Sequence, residues 1–111
     1  MTPSKYERVY IAGPMSGLPN FNFDAFDRAA EMLRARGVQV CNPAVHGREW
    51  LALHHGEEPN ESQYLEILAE CSERVRHCDK IYLLKGWQNS RGAKHELELA
   101  LIRKMQIEVE E

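Results

Sequence analysis

The feature that most restricts the fold is a junction near the C-terminal end. Lys80-Ile81-Tyr82-Leu83-Leu84 is an apolar run of strand length, and it passes through the turn residues Gly86-Trp87-Gln88-Asn89-Ser90 into a pattern of helical period. A strand-loop-helix junction of this kind is the building unit of α/β sheets. On a 3.6-residue wheel Ala93, Leu97, Ala100 and Leu101 form the stripe expected to face the core. Glu96 falls on the shoulder of that stripe, away from Lys94 and Glu98, where a carboxylate is expected to be half desolvated. Ser90 stands where its hydroxyl can cap free backbone N–H groups. Gly92 lets a ligand approach the same helix N-terminus, which suits an anion. Junctions of this kind also occur in α/β proteins without a site there, so the rest of the chain has to decide.

Taken in order, residues 1–6 are a polar lead-in and Arg8–Ala12 reads as a first strand. Gly13–Asn20 carries two Gly and two Pro in eight residues, which makes a tight, irregular loop. Phe21 and Phe26 have the spacing of a hydrophobic staple around Asn22 as N-cap, with Asp24 favourable to the dipole. The helix that follows should face Phe23, Phe26, Ala29, Ala30 and Leu33 inward and stop at Gly37. Val38–Cys41 reads as a short second strand closed by Asn42-Pro43. From there to about Asn60 the pattern weakens: Trp50, Leu51 and Leu53 suggest one or two helical turns, and His54–Asn60 is loop. Such a stretch is either a lid or a tolerated surface insertion. A long helix is expected over Glu61–Arg76, with Tyr64, Ile67, Leu68, Cys71 and Val75 buried and Cys71 a core residue. After the opening junction its helix should run to about Met105, and Ile107–Val109 should form an edge strand.

This order implies an α/β protein, residues 1–111 forming one domain, with a small parallel sheet, right-handed crossovers and helices on both faces. Strand order 2-1-3-4 fits best, and it reverses the winding between strands 1 and 3, where a crevice opens at their carboxyl ends. The loops Gly13–Asn20 and Gly86–Ser90 should then face each other across one pocket with Glu96 near its floor.

A net charge of −3 and a pI near 6.0 speak against a nucleic-acid partner. No apolar run of 18 residues and no signal-peptide pattern is present, so no membrane partner and a cytoplasmic location are expected. Cys41, Cys71 and Cys78 suit neither a disulfide framework nor a CxxC knuckle, and the five His have no paired ligand spacing. We therefore expect reduced thiols, no metal and no cofactor. Leu99 and Ile102 lie on a face of the last helix apart from its stripe, which suggests a homodimer or larger homo-oligomer.

A carboxylate, a helix N-terminus with Ser90 and a Gly/Ser loop opposite suit a small ligand with an electrophilic carbon, and a glycosidic bond fits. Its cleavage passes through an oxocarbenium-like state that a carboxylate stabilises and can trap covalently. Tyr10 and Trp87 either line this pocket or pack at its rim.

The segments VYIAGPMSGLPNFNFDAF, CNP and CDKIYLLKGWQNSRGAKHELELA resemble the nucleoside 2-deoxyribosyltransferase-like superfamily, especially its small phage-type branch. The resemblance implies a flavodoxin-like three-layer fold, a dimer or larger assembly, and a nucleoside or nucleotide ligand. It also implies a helical Glu that attacks C1′, and Glu96 falls on that Glu. Six residues earlier the deoxyribosyltransferases tend to carry Asp and the 2′-deoxynucleoside 5′-phosphate N-hydrolases a phosphate-binding Ser; this chain has Ser90. Tyr10 matches a tyrosine beside the nucleophile. By the same resemblance Gly13, Pro14, Met15, Ser16, Gly17, Trp87, Asn89, Ser90 and Gly92 would bind substrate. Two positions depart from the N-hydrolase pattern: Ser16 stands where a first-loop Arg would hold phosphate, and Cys71 where an Asp would sit on the helix before the third strand. The implied activity is N-glycosidic cleavage or deoxyribosyl transfer, and the alternative is a nucleotide-binding protein without turnover.

Overall fold

Why the chain forms a sheet is clearest in its first strand, β1 (Arg8–Ala12), whose last four residues are buried. Burial on both faces is what a central parallel strand experiences, and β1 is paired on both sides. β2 (Gln39–Cys41) and β3 (Lys80–Leu83) flank it in parallel register, with Tyr10 opposite both Cys41 and Ile81, and β4 (Gln106–Val109) extends β3. The order is β2-β1-β3-β4, as expected. The computed structural model that gives these positions describes residues 7–111, so the polar lead-in of residues 1–6 lies outside the described residues.

Alternation along the strands divides the core in two. Val9, Ile11 and Tyr82, with Leu84 just beyond β3, face α1 (Phe23–Ala35) and meet Phe23, Phe26, Ala29, Ala30 and Leu33, the inward set anticipated for that helix. Tyr10, Ala12, Ile81 and Leu83 face the other way, towards Val75 of α3 (Glu61–Arg76) and Ala93 and Ala100 of α4 (Arg91–Ile102). Helices therefore cover both sides of a parallel sheet, a flavodoxin-like three-layer arrangement. Among the described residues no helix is long and apolar enough to cross a membrane.

Several local expectations are corrected. Asn22 is not a side-chain cap: it lies in the left-handed region and its Nδ2 donates to the Pro14 carbonyl at 3.0 Å. Asn20, Phe21 and Asn22 have φ of 50°, 52° and 60° in succession. For residues with a Cβ this costs about 1–2 kcal/mol each. The partial burial of Phe21, whose ring centroid lies 5.7 Å from that of Phe23, and the Asn22–Pro14 bond oppose that cost. Asn42-Pro43 does more than close β2. It starts an eleven-residue helix, α2 (Pro43–Leu53), with the Asn42 side chain accepting from Ala44 N at 3.1 Å and Pro43 in the first turn, where its missing N–H costs nothing. Gly47 hid this helix, since glycine is a poor helix former. It gives the Phe23 ring room, because a Cβ would lie 3.0 Å from that ring. The irregular stretch shrinks to residues 54–60. Finally, α4 ends at Ile102 and Leu101 is 56% exposed, because the buried line runs through Ala93, Glu96 and Ala100 and leaves the next residue turned 100° away.

Two glycines let the β1 and β3 loops approach. A Cβ on Gly86, whose φ is +88°, would lie 3.3 Å from Pro14 Cγ, so the loops touch there. A Cβ on Gly13 would lie 2.8 Å from Leu84 Cβ and 2.9 Å from its Cδ1. Leu84 is fully buried and its Cβ cannot move without the backbone. Gly13→Ala is therefore expected to lower stability by about 1–3 kcal/mol, read as a lower urea midpoint with an unchanged slope.

Candidate functional site

Beyond the carboxyl end of β1 the two constrained loops and the starts of α3 and α4 enclose a cavity of about 440 Å³. The most buried of its charged lining groups is Glu96, 6% exposed, and so further buried than the half-desolvated shoulder position expected. α4 carries this side chain towards β1, where the hydroxyl of fully buried Tyr10 donates to Glu96 Oε2. Tyr10 is held by strands on both sides, so the hydrogen bond is built on the most rigid part of the sheet.

Burial sets the electrostatics. It pushes the Glu96 carboxyl up to about 8, against the Tyr10 hydrogen bond, which favours the ionised form, and with a smaller upward push from Cys41. Tyr10 is held well above its ordinary value, first by burial and then by the charge of Glu96, so it remains a donor. Cys71, beside that hydroxyl, rises to about 11, mainly through burial and then through Glu96. Below the cavity Cys41 is lowered to about 7 by a hydrogen bond from Cys78, with help from Arg74 and Arg8 against the effect of burial. A carboxyl poised near neutrality exchanges easily between acid and carboxylate, as a general acid, base or nucleophile requires.

Of the residues singled out in the sequence, Tyr10, Gly13, Pro14, Met15 and Ser16 line the cavity from the β1 side, and Asn89, Ser90, Gly92 and Glu96 line it from the α4 side. Gly17 and Trp87 do not: Gly17 is exposed in the loop, and Trp87 packs half-buried against the lower core. Ser90 is the N-cap of α4, its Oγ accepting from Ala93 N at 3.1 Å. Gly92 leaves room for Tyr64, whose hydroxyl would be 3.0 Å from an added Cβ.

The α3 wall was read differently from sequence. Tyr64, Ile67, Leu68 and Cys71 have the spacing of a core stripe, but only Val75 and Ser72 of this helix are buried; the four earlier residues are half-buried and face the cavity. Cys71 is thus a wall residue at the edge of the core. The first half of α3 projects past the strand ends, so its apolar stripe meets space where the second half meets the sheet. Also unforeseen is the rim. Arg91 at the start of α4 binds Glu61 at the start of α3 through two contacts of 2.9 and 3.1 Å, and its guanidinium lies 5.0 Å over the Tyr64 ring. Among the described residues no three His, Cys, Asp or Glu side chains converge in a way that could hold a metal ion.

A family described as a domain of unknown function (DUF4406) matches residues 7–109. No curated protein matches the chain.

Proposed function

The chain belongs to the DUF4406 family, and on that premise we propose that its cavity cleaves, or transfers the sugar of, the N-glycosidic bond of a nucleoside or nucleoside 5′-monophosphate. One observation carries this reading: a buried carboxyl, poised near neutral pH and held by a tyrosine hydroxyl, forms the floor of a cavity ringed by helix N-termini. The resemblance to the nucleoside 2-deoxyribosyltransferase-like superfamily supports it, since Glu96 and Tyr10 occupy the positions of the nucleophile and its neighbour.

In this mechanism the ionised Glu96 attacks C1′ as the bond to the base breaks. The bonding electrons leave with the base, which takes up a proton from solvent, and a glycosyl ester remains on Glu96; the nucleophile of the second step returns one proton to solvent. Water, or the nitrogen of a second base, then attacks the same carbon and releases the carboxylate. Tyr10 orients the carboxyl through its hydrogen bond. Residues Gly13 to Ser16 of the first loop, with Asn89, Ser90 and Gly92, hold the sugar or its phosphate. The free thiols suit a cytoplasmic setting; of the two residues expected at a partner face, Leu99 packs partly buried against the lower core, so a homodimer would use the exposed Ile102 together with Leu101 and would sediment at twice the chain mass.

Incubation with a panel of nucleosides and 5′-monophosphates, followed by chromatography for free base, tests the proposal. Release from at least one member is expected, and none from any would overturn it. Cys71 favours a second reading, a nucleotide-binding protein without turnover, because a thiol raised to about 11 offers no carboxylate at that wall. Such a protein would raise its melting temperature with ligand while the base stayed attached.

A further inference from the structure

The rim holds an arrangement that bears on which ligand enters. Four charged side chains line the cavity, Glu58, Glu61, Arg91 and Glu96: three acids and one base. The one base is already engaged. Arg91 Nη1 donates to Glu61 Oε2 at 3.1 Å and Nη2 lies 2.9 Å from Oε1, a two-pronged pairing that commits one edge of the guanidinium, while its face rests on Tyr64. The positive end of α3 is answered too, by Glu61 in its first turn and by the reciprocal Asn60–Gln63 cap.

We propose that the Glu61–Arg91 pair is a charge filter at the cavity mouth, admitting neutral nucleosides and disfavouring their 5′-monophosphates. The inference rests on the reading of the cavity as a nucleoside site and narrows it. A phosphate dianion entering here must displace Glu61 from Arg91 or remain unpaired beside Glu58 and Glu61. It also places negative charge near a carboxyl that has to ionise to react. The start of α4 offsets this only in part, with about half a positive charge. A neutral nucleoside meets none of these penalties, and its hydroxyls can use Ser90 and the free N–H groups of α4.

The test is calorimetric titration of the wild type, Glu61→Gln and Arg91→Gln with 2′-deoxynucleosides and their 5′-monophosphates, beside the base-release assay. The side chains of Glu61 and Arg91 are 66% and 58% exposed, so both variants should fold, as melting curves will verify. Wild type is expected to bind the neutral compounds about tenfold more tightly. Glu61→Gln should erase that preference by strengthening monophosphate binding alone, and Arg91→Gln should widen it. Added salt should shrink the difference, because the pair is solvent-exposed. Tighter monophosphate binding by wild type, or a ratio unchanged in Glu61→Gln, overturns the filter. Binding in the expected ratio without base release would sink the enzymatic reading and leave the filter standing. Base release that favours monophosphates would do the reverse, and no binding of either class would remove both.

Discussion

Glu96→Gln is expected to lower base release by roughly a thousandfold or more while leaving the fold intact. The amide matches the carboxyl in shape and can still accept the Tyr10 hydrogen bond, so the cavity floor keeps its packing. What it loses is the anion that bonds to C1′. The rate should also rise with pH through about 8, since the ionised carboxyl is the attacking species. Tyr10→Phe removes a hydrogen bond that favours the carboxylate, so the midpoint of that profile should move upward as the maximal rate falls. Steady-state rates across pH check both. A Gln variant as fast as wild type would exclude Glu96 as nucleophile.

The second large effect is on stability. The Glu96 carboxyl has an ordinary value of 4.5 and is raised to about 8 in the folded protein. Between these the folded state keeps a proton that the unfolded chain has lost, so stability falls as pH rises through this window and levels off above it. The loss is on the order of 5 kcal/mol. It has the opposite sign to that of Glu108, whose carboxyl Arg36 and Lys80 hold low and whose contribution disappears as pH falls below its ordinary range. Cys41 also acts in the opposite sense, adding stability as pH rises from about 7 towards 9. Comparison with Glu96→Gln isolates the term: urea unfolding at pH 5 and pH 8.5 should show a steep decline for wild type and a much shallower one for Gln, which should be the more stable protein at the higher pH. Equal slopes would mean that Glu96 is not buried as described. This measurement needs no substrate, so it tests the site whatever the cavity binds.

The strands and the inner face of α1 were legible because each rests on a strong local signal (β-branched runs, a 3.6-residue period, glycine at a helix end), and the strand order followed from the alternation of strands and helices along the chain. α2 was not, because Gly47 and an exposed Leu53 blur its period, although Asn42-Pro43 is a good N-cap and first-turn pair. The α3 wall failed for a different reason. Spacing shows which residues of a helix share a face but not where the sheet beneath that face ends, so Tyr64 and Cys71 looked the same as Val75. The Glu61–Arg91 contact joins residues 30 positions apart, and only the packing of α3 beside α4 brings them together. Glu96 stood out because it is a charge close to a buried stripe. Its depth depended on Tyr10, which no local pattern places.

Tyr10 hangs from the middle of the sheet, whereas Ser16, Glu58 and Asn60 belong to surface connections. The buried Tyr10–Glu96 pair and the loop part of the cavity rim thereby belong to different kinds of structure. The exposed Ser16 and Glu58 can be exchanged for side chains of other size or charge with little disturbance to Glu96, whereas Met15 packs on the core and Asn60 caps α3. A family built on this plan can vary its exposed edge while inheriting the same buried Tyr10–Glu96 pair.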